Sequence, residues 1–278
     1  MKPKIITSIE EMKSISGNWK GKVGFVPTMG YLHEGHLSLV KAARKECETV
    51  VVSIFVNPTQ FAPNEDLQNY PRDFERDIDL LSSLKVDFVF FPSASEMYPK
   101  DFKTWVSVEK ITNILCGKSR PTHFRGVTTV VAKLINLVRP NFMYMGEKDF
   151  QQIVVLEQMI RDLNFSTKIV RCPLIREKDG LAMSSRNKYL SETERKNALC
   201  LYNSLLLAKK EFQNGNKNAA DIREKMKLLI EQNGGKTDYI EFVNPQTLET
   251  VDELYSGCKA LIAVFIGKTR LIDNITIE

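Results

Sequence analysis

"PTMGYLHEGHLSLV", residues 27–40, holds two of the chain's three histidines, His33 and His36, on either side of Glu34 and Gly35. Just before it, "KVGFVP" (22–27) is a short apolar run that reads as a buried strand ending at Pro27. Thr28, Met29 and Gly30 form a turn, and a helix beginning near Glu34 or Gly35 runs on through Leu37, Leu39, Val40 and Ala43. The histidines therefore fall on the first turn of a helix that follows a strand. In an open parallel sheet, ligands bind at that junction. A helix start adds unpaired N–H groups and a partial positive charge. Two imidazoles there suit a phosphate, and Gly35 leaves room for a flat group to reach the backbone. Two other readings stay open, a zinc site and a pair of surface histidines. The spacing is not H-E-x-x-H, and no third metal ligand lies close in sequence.

Four more runs continue the first strand: "TVVVSIFV" (49–56), "VDFVFFP" (86–92), "NFMYMG" (141–146) and "TKIVRCP" (167–173). Helical patterns separate them at 35–47, about 71–84, 126–138 and 147–163. Continuous apolar strands alternating with helices predict a doubly wound α/β domain, a parallel sheet covered on both faces. The pattern changes near residue 175. "REKDGLAMSSRN" (176–187) reads as a polar loop, followed by two helices (about 191–213 and 218–232) and three strands, "TDYIEFVN", "ALIAVFIG" and "TRLIDNITIE". We expect a Rossmann-like domain over 1–178 and a smaller helix-plus-antiparallel-sheet domain over 179–278 that closes over the active site.

Composition is that of an ordinary globular chain of 278 residues, 43% hydrophobic and 26% charged. The net charge of +5 is spread thinly, with no basic run to mark a nucleic-acid surface, and it suits a small anionic substrate. Five scattered cysteines without a C-x-x-C read as reduced thiols. The opening residues "MKPKIITSIEEMK" carry no signal-like apolar stretch, and the apolar runs are shorter than a membrane span. The expectation is a cytoplasmic protein that engages neither membrane nor nucleic acid.

Further motifs fall at strand ends. In "FVNPTQF" (55–61), Asn57 and Gln60 offer amides that both donate and accept. "GEKDFQQ" (146–152) opens a helix on which Lys148 and Gln152 share a face. "LAMSSRN" (181–187) offers the hydroxyls of Ser184 and Ser185 and the fork of Arg186, a mobile phosphate clamp. "SRPTHFRG" (119–126) clusters Arg120, His123 and Arg125, with either a substrate-side or a structural role. Taken singly, each of these segments reads as readily as a polar loop, helix cap or linker.

H-x-G-H after the first strand resembles the nucleotide motif of the class I aminoacyl-tRNA synthetase and nucleotidyltransferase superfamily. With "FVNPTQF", "GEKDFQQ" and "LAMSSRN" in order behind it, the chain resembles the pantothenate synthetases, or pantoate–β-alanine ligases. That resemblance implies condensation of (R)-pantoate with β-alanine at the expense of ATP, through pantoyl adenylate, with Mg²⁺ on the phosphates and release of AMP and pyrophosphate. It implies an ATP site from Met29, Gly30, Tyr31, Leu32, His33, Glu34, Gly35 and His36, from Gly146, Glu147, Lys148 and Asp149, and from Ile175, Met183, Ser184, Ser185 and Arg186. Ile175 and Met183 would border the adenine. Gln60 and Gln152 would bind pantoate, with Gln60 also touching β-alanine. His36, as proton donor, would act with His33, Lys148 and Arg186 in catalysis. No direct protein ligand for the metal is implied. A homodimer joined through the first domain is. The competing activity is a nucleotidyltransferase that leaves AMP on its product.

Overall fold

A computed structural model describes residues 2–63 and 65–278. Its first part runs β1 (Lys4–Ile6), α1 (Ile9–Ser16), β2 (Val23–Thr28), α2 (Glu34–Glu46), β3 (Thr49–Ile54), α3 (Phe74–Ser83), β4 (Phe88–Phe90), α4 (Ala94–Met97), α5 (Cys116–Ser119), α6 (His123–Val138), β5 (Phe142–Gly146), α7 (Phe150–Asp162) and β6 (Lys168–Cys172). The second part runs α8 (Glu192–Asn197), α9 (Leu199–Gln213), α10 (Ala219–Gln232), β7 (Gly235–Val243), β8 (Lys259–Ile266) and β9 (Thr269–Thr276).

The first six strands form one parallel sheet in the order β1-β4-β3-β2-β5-β6. Period-two alternation sends successive side chains to opposite faces. Phe25, Val51 and Met143 meet α1, α6 and α7 on one side, whereas Val26, Val50, Val52 and Tyr144 meet α2 and α3 on the other. From β2 the chain builds outward through β3 in one direction and later through β5 in the other. The topological switch therefore lies between β2 and β5, and a crevice opens above their carboxyl ends. "PTMGYLHEGH" leaves one of these strands and "GEKD" leaves the other.

The structure adds β1, α1, α4 and α5 to the expected elements. β1 is three residues long and exposed at its first two, so it makes no apolar run. α6 begins at His123 rather than 126, with Gly126 in its first turn. A side chain at 126 would meet the Thr59 carbonyl oxygen at 2.4 Å, so the glycine lets the helix sit directly on the Pro58–Gln60 turn. The helix expected over 191–213 is broken at Ala198 into α8 and α9.

In the second part, β7, β8 and β9 pair antiparallel. α9 and α10 cover them with Leu201, Leu205, Ile222, Met226 and Ile230 against Phe242, Ile262 and Val264. Burying that apolar face is what holds so small a unit together, at about 25 cal/mol per Å² of apolar surface.

Candidate active site

At the end of β2 the chain turns sharply. Tyr31 adopts a left-handed conformation (φ 51°), which bulky side chains rarely take. The buried carboxylate of Asp77, on α3, holds it there, receiving the Tyr31 and Leu32 N–H groups at 2.7 and 2.8 Å. Burial raises the Asp77 pKa despite those two bonds. The turn delivers His33 as the N-cap of α2. Its Nδ1 accepts from the Gly35 N–H at 3.2 Å, while His36 Nδ1 faces the His33 N–H at 3.4 Å, a reciprocal capping box built from two imidazoles. A nitrogen that accepts a backbone N–H carries no proton, so the proton of each ring sits on Nε2. A side chain at Gly35 would lie 2.9 Å from the His33 ring, so this glycine makes room for the capping imidazole.

The rings of His33 and His36 lie 4.1 Å apart. Burial pulls the His33 pKa down to about 4, with the charge of Lys148 adding to the effect. His36 is lowered further, first by burial and then by His33 and Lys148. Both are therefore neutral donors near pH 7.

A cavity of about 1080 Å³ fills the crevice and the space below the second sheet. Met29, His36, Gln60, Lys148, Asp149, Gln152, Ser184 and Arg186 line it. The cavity thus gathers part of each of the four motifs. Other expected residues are turned elsewhere: Leu32 is in the core, Glu34 is exposed and pairs with Lys41, and Glu147 pairs with Lys259 at 3.3 Å. Ser185 is buried and receives the Tyr70 hydroxyl at 3.4 Å. Ile175 accepts the Met183 N–H at 3.0 Å, tying those two together beside the Ser184 loop.

Gln60 is preset by its neighbours. Asn57, almost fully buried, donates to Gln60 Oε1 at 3.2 Å and to the Gly126 carbonyl at 3.1 Å. Arg120 and His123 Nδ1 both reach the Gln60 carbonyl, at 3.2 and 3.0 Å. A carbonyl only accepts, so the His123 proton is on Nδ1. Burial, with Arg120 nearby, pushes the His123 pKa down to about 3. Arg120 and His123 line the cavity, whereas Arg125 is exposed and stacks over Trp105 at 4.8 Å.

A model of the family described as pantoate-beta-alanine ligase matches residues 4–276. The chain belongs to that family. Among curated pantoate–β-alanine ligases, the pantothenate synthetase of Caldicellulosiruptor bescii is 54% identical over 278 residues, 99% of both chains. That of Thermotoga neapolitana is 55% identical over 275 residues, 98% of both. The crystal structure of pantothenate synthetase from Thermus thermophilus superposes with a TM-score of 0.94 at 43% identity, covering 99% of each chain. The Francisella tularensis pantoate-beta-alanine ligase, solved with beta-gamma ATP and beta-alanine, gives 0.84 at 41% identity, covering 99% of this chain and 97% of that one. Ligases of this family thus share the architecture along its whole length, the second sheet included.

Several residues that shape the site are not apparent in the motifs. Asp77 had one signal: a carboxylate on the apolar stripe of α3, between Phe74 and Ile78 and one turn from Leu81. Glu65 and Asp66, which pair with Arg120 and Arg186, had none, because their partners lie 55 and 120 residues away. Among the described residues, no group of three His, Cys, Asp or Glu side chains is placed to hold a metal ion.

Proposed function

We propose that this ligase joins (R)-pantoate to β-alanine in two steps within the crevice, through an enzyme-bound pantoyl adenylate. A carboxylate does not acylate an amine at neutral pH, because the group leaving would be oxide. In the first step a pantoate carboxylate oxygen attacks the α-phosphorus of ATP, the bond to the bridging oxygen breaks, and pyrophosphate leaves. In the second the amine of β-alanine attacks the acyl carbon, loses a proton, and AMP departs with the former carboxylate oxygen.

Negative charge grows on the leaving pyrophosphate. Preorganised donors aimed at that charge lower the barrier more than any covalent helper. His36, Lys148, Ser184 and Arg186 are the donors, with His33 buttressing His36. His36 serves as a neutral Nε2–H donor. Gln60 and Gln152 bind pantoate, and Gln60 also meets β-alanine. The ATP-binding segments are 29–36, 146–149 and the residues Ile175 and Met183–Arg186; Leu32, Glu34 and Glu147 contribute backbone only. Mg²⁺ would ride on the nucleotide phosphates; among the described residues no group of three His, Cys, Asp or Glu side chains is placed to hold it.

The observation that carries the reading is the meeting of His36, Lys148 and Arg186 in one cavity with Gln60 and Gln152. Purified protein given ATP, Mg²⁺, pantoate and β-alanine should yield pantothenate, AMP and pyrophosphate. Formation of ADP and phosphate would replace the adenylate by an acyl phosphate. AMP retained on the product would make the chain a nucleotidyltransferase.

Two further parts of the reading rest on family likeness. They are a homodimer joined through the first domain, testable by light scattering, and a cytoplasmic location. In support of the latter, all five cysteines are unpaired and no helix among the described residues is long and apolar enough to cross a membrane.

A further inference from the structure

Asn274 belongs to β9 of the second domain, yet its side chain lies on the backbone that carries Lys148. It is 5% exposed. Its Nδ2 donates to the Glu147 carbonyl at 2.8 Å and to the Lys148 carbonyl at 3.1 Å. Its other amide atom faces Lys259 Nζ at 3.4 Å. An ammonium only donates, so that atom is Oδ1, and the nitrogen is thereby fixed on the two carbonyls.

The segment it holds has little support of its own. Glu147–Asp149 is a single 3-10 turn, and neither its N-cap, Gly146, nor the N-cap of α7, Asp149, makes a side-chain cap bond. Asn274 itself is firmly placed. Its N–H donates to Asp273 Oδ1 at 2.7 Å, and the Asp273 carboxylate takes a bidentate pair from Arg176 at 2.7 and 2.9 Å. Lys259, 7% exposed, closes the cluster by pairing with Glu147 and lying 4.8 Å over the Phe150 ring.

We propose that Asn274 is a positioning residue for adenylate formation: by gripping the Glu147 and Lys148 carbonyls from the second domain, it aims the Lys148 side chain into the cavity. This rests on the reading that Lys148 meets the phosphates. Rotation of either peptide would swing the Lys148 Cα–Cβ bond, and misplacing a reacting or stabilising group by about 1 Å costs on the order of a hundredfold in rate. The second domain thereby takes part in the chemistry of the first.

The test is ATP–pyrophosphate exchange with pantoate and without β-alanine. Asn274→Asp keeps the shape and the contact with Lys259 but turns the donor into an anionic oxygen facing two carbonyls. Exchange, measured below the midpoint of each variant, should fall ten- to a hundredfold, mainly in kcat, while the thermal midpoint also drops because a buried anion then faces two carbonyls. Asn274→Ser, which retains a shorter donor, should recover part of the loss. In a Lys148→Ala background, Asn274→Asp should have almost no further effect, because interacting residues are not additive. The proposal is overturned if Asn274→Asp stays within threefold of the unsubstituted enzyme, if its loss persists undiminished in the Lys148→Ala background, or if both Asn274 variants fail to fold. Absence of exchange in the unsubstituted enzyme would instead overturn the adenylate reading itself.

Discussion

Asp66 holds Arg186 across 120 residues of sequence, its two carboxylate oxygens receiving Nε at 3.1 Å and Nη2 at 2.9 Å. Next to it, Glu65 takes Arg120 in the same bidentate way. Two adjacent carboxylates thus occupy two guanidinium forks at the cavity wall, where an anionic substrate would place its own oxygens. If Arg186 must leave Asp66 to meet a phosphate, Asp66 competes with ATP. A partly buried pair of this kind contributes about 0.5–1 kcal/mol. Asp66→Asn should therefore tighten ATP two- to fivefold by calorimetric titration. Weaker binding would mean that Asp66 holds Arg186 in its working position instead.

His36→Ala removes one neutral donor from the cavity wall. Losing a single preorganised donor to a transition-state charge costs about 3 kcal/mol, a hundredfold or more. Pyrophosphate exchange should fall by that order while the thermal midpoint moves little, since the capping bond lost, at 3.4 Å, is a long one. Activity within threefold of the unsubstituted enzyme would remove His36 from the mechanism.

Asp77→Ala probes the brace behind the histidines. It leaves the Tyr31 and Leu32 N–H groups without their acceptor in a buried place. The cost should be about 2–3 kcal/mol of stability, as for a buried hydrogen bond to a charged group. ATP affinity should fall with it as the left-handed turn relaxes. An intact ATP affinity in a destabilised variant would show that the histidines keep their place without this brace.

Acid should destabilise the fold earlier than its carboxylates alone would bring about. An unfolded histidine takes a proton near pH 6.5. In the fold His33 waits until about 4, His123 until about 3, and His36 is lowered well below its usual value. Between those limits the unfolded chain binds more protons, up to three from these residues, so stability falls as pH drops from about 6.5 toward 4. Asp77 and Asp273, buried and shifted upward, act in the opposite sense nearer the carboxylate range. Thermal midpoints should decline steadily between pH 7 and 5. The exchange rate should show no acid limb near 6.5, because the histidines are already neutral above about 4. An acid limb near 6.5 would mean that a required neutral imidazole keeps its ordinary pKa, whereas a fall in rate as pH rises through about 6.5 would mean that a charged imidazole is required.

Much of this protein was legible in its order of residues. Continuous apolar strands between helices specify a parallel sheet because such strands are buried on both faces. Polar motifs right after those strands locate the ligand edge, because an open parallel sheet exposes its carboxyl ends. The neutral, capped state of His33 and His36 depended on more than that local pattern. It required the burial around the two rings and the charge of Lys148, more than a hundred residues away. The pairs Asp66–Arg186, Asp77–Tyr31 and Asn274–Lys148 were equally hidden, for each joins elements that only the folded chain brings together. Short-range periodicity encodes which face of an element is buried. The tertiary structure alone decided which polar groups meet there, because hydrogen bonds form between neighbours in space, whatever their separation along the chain.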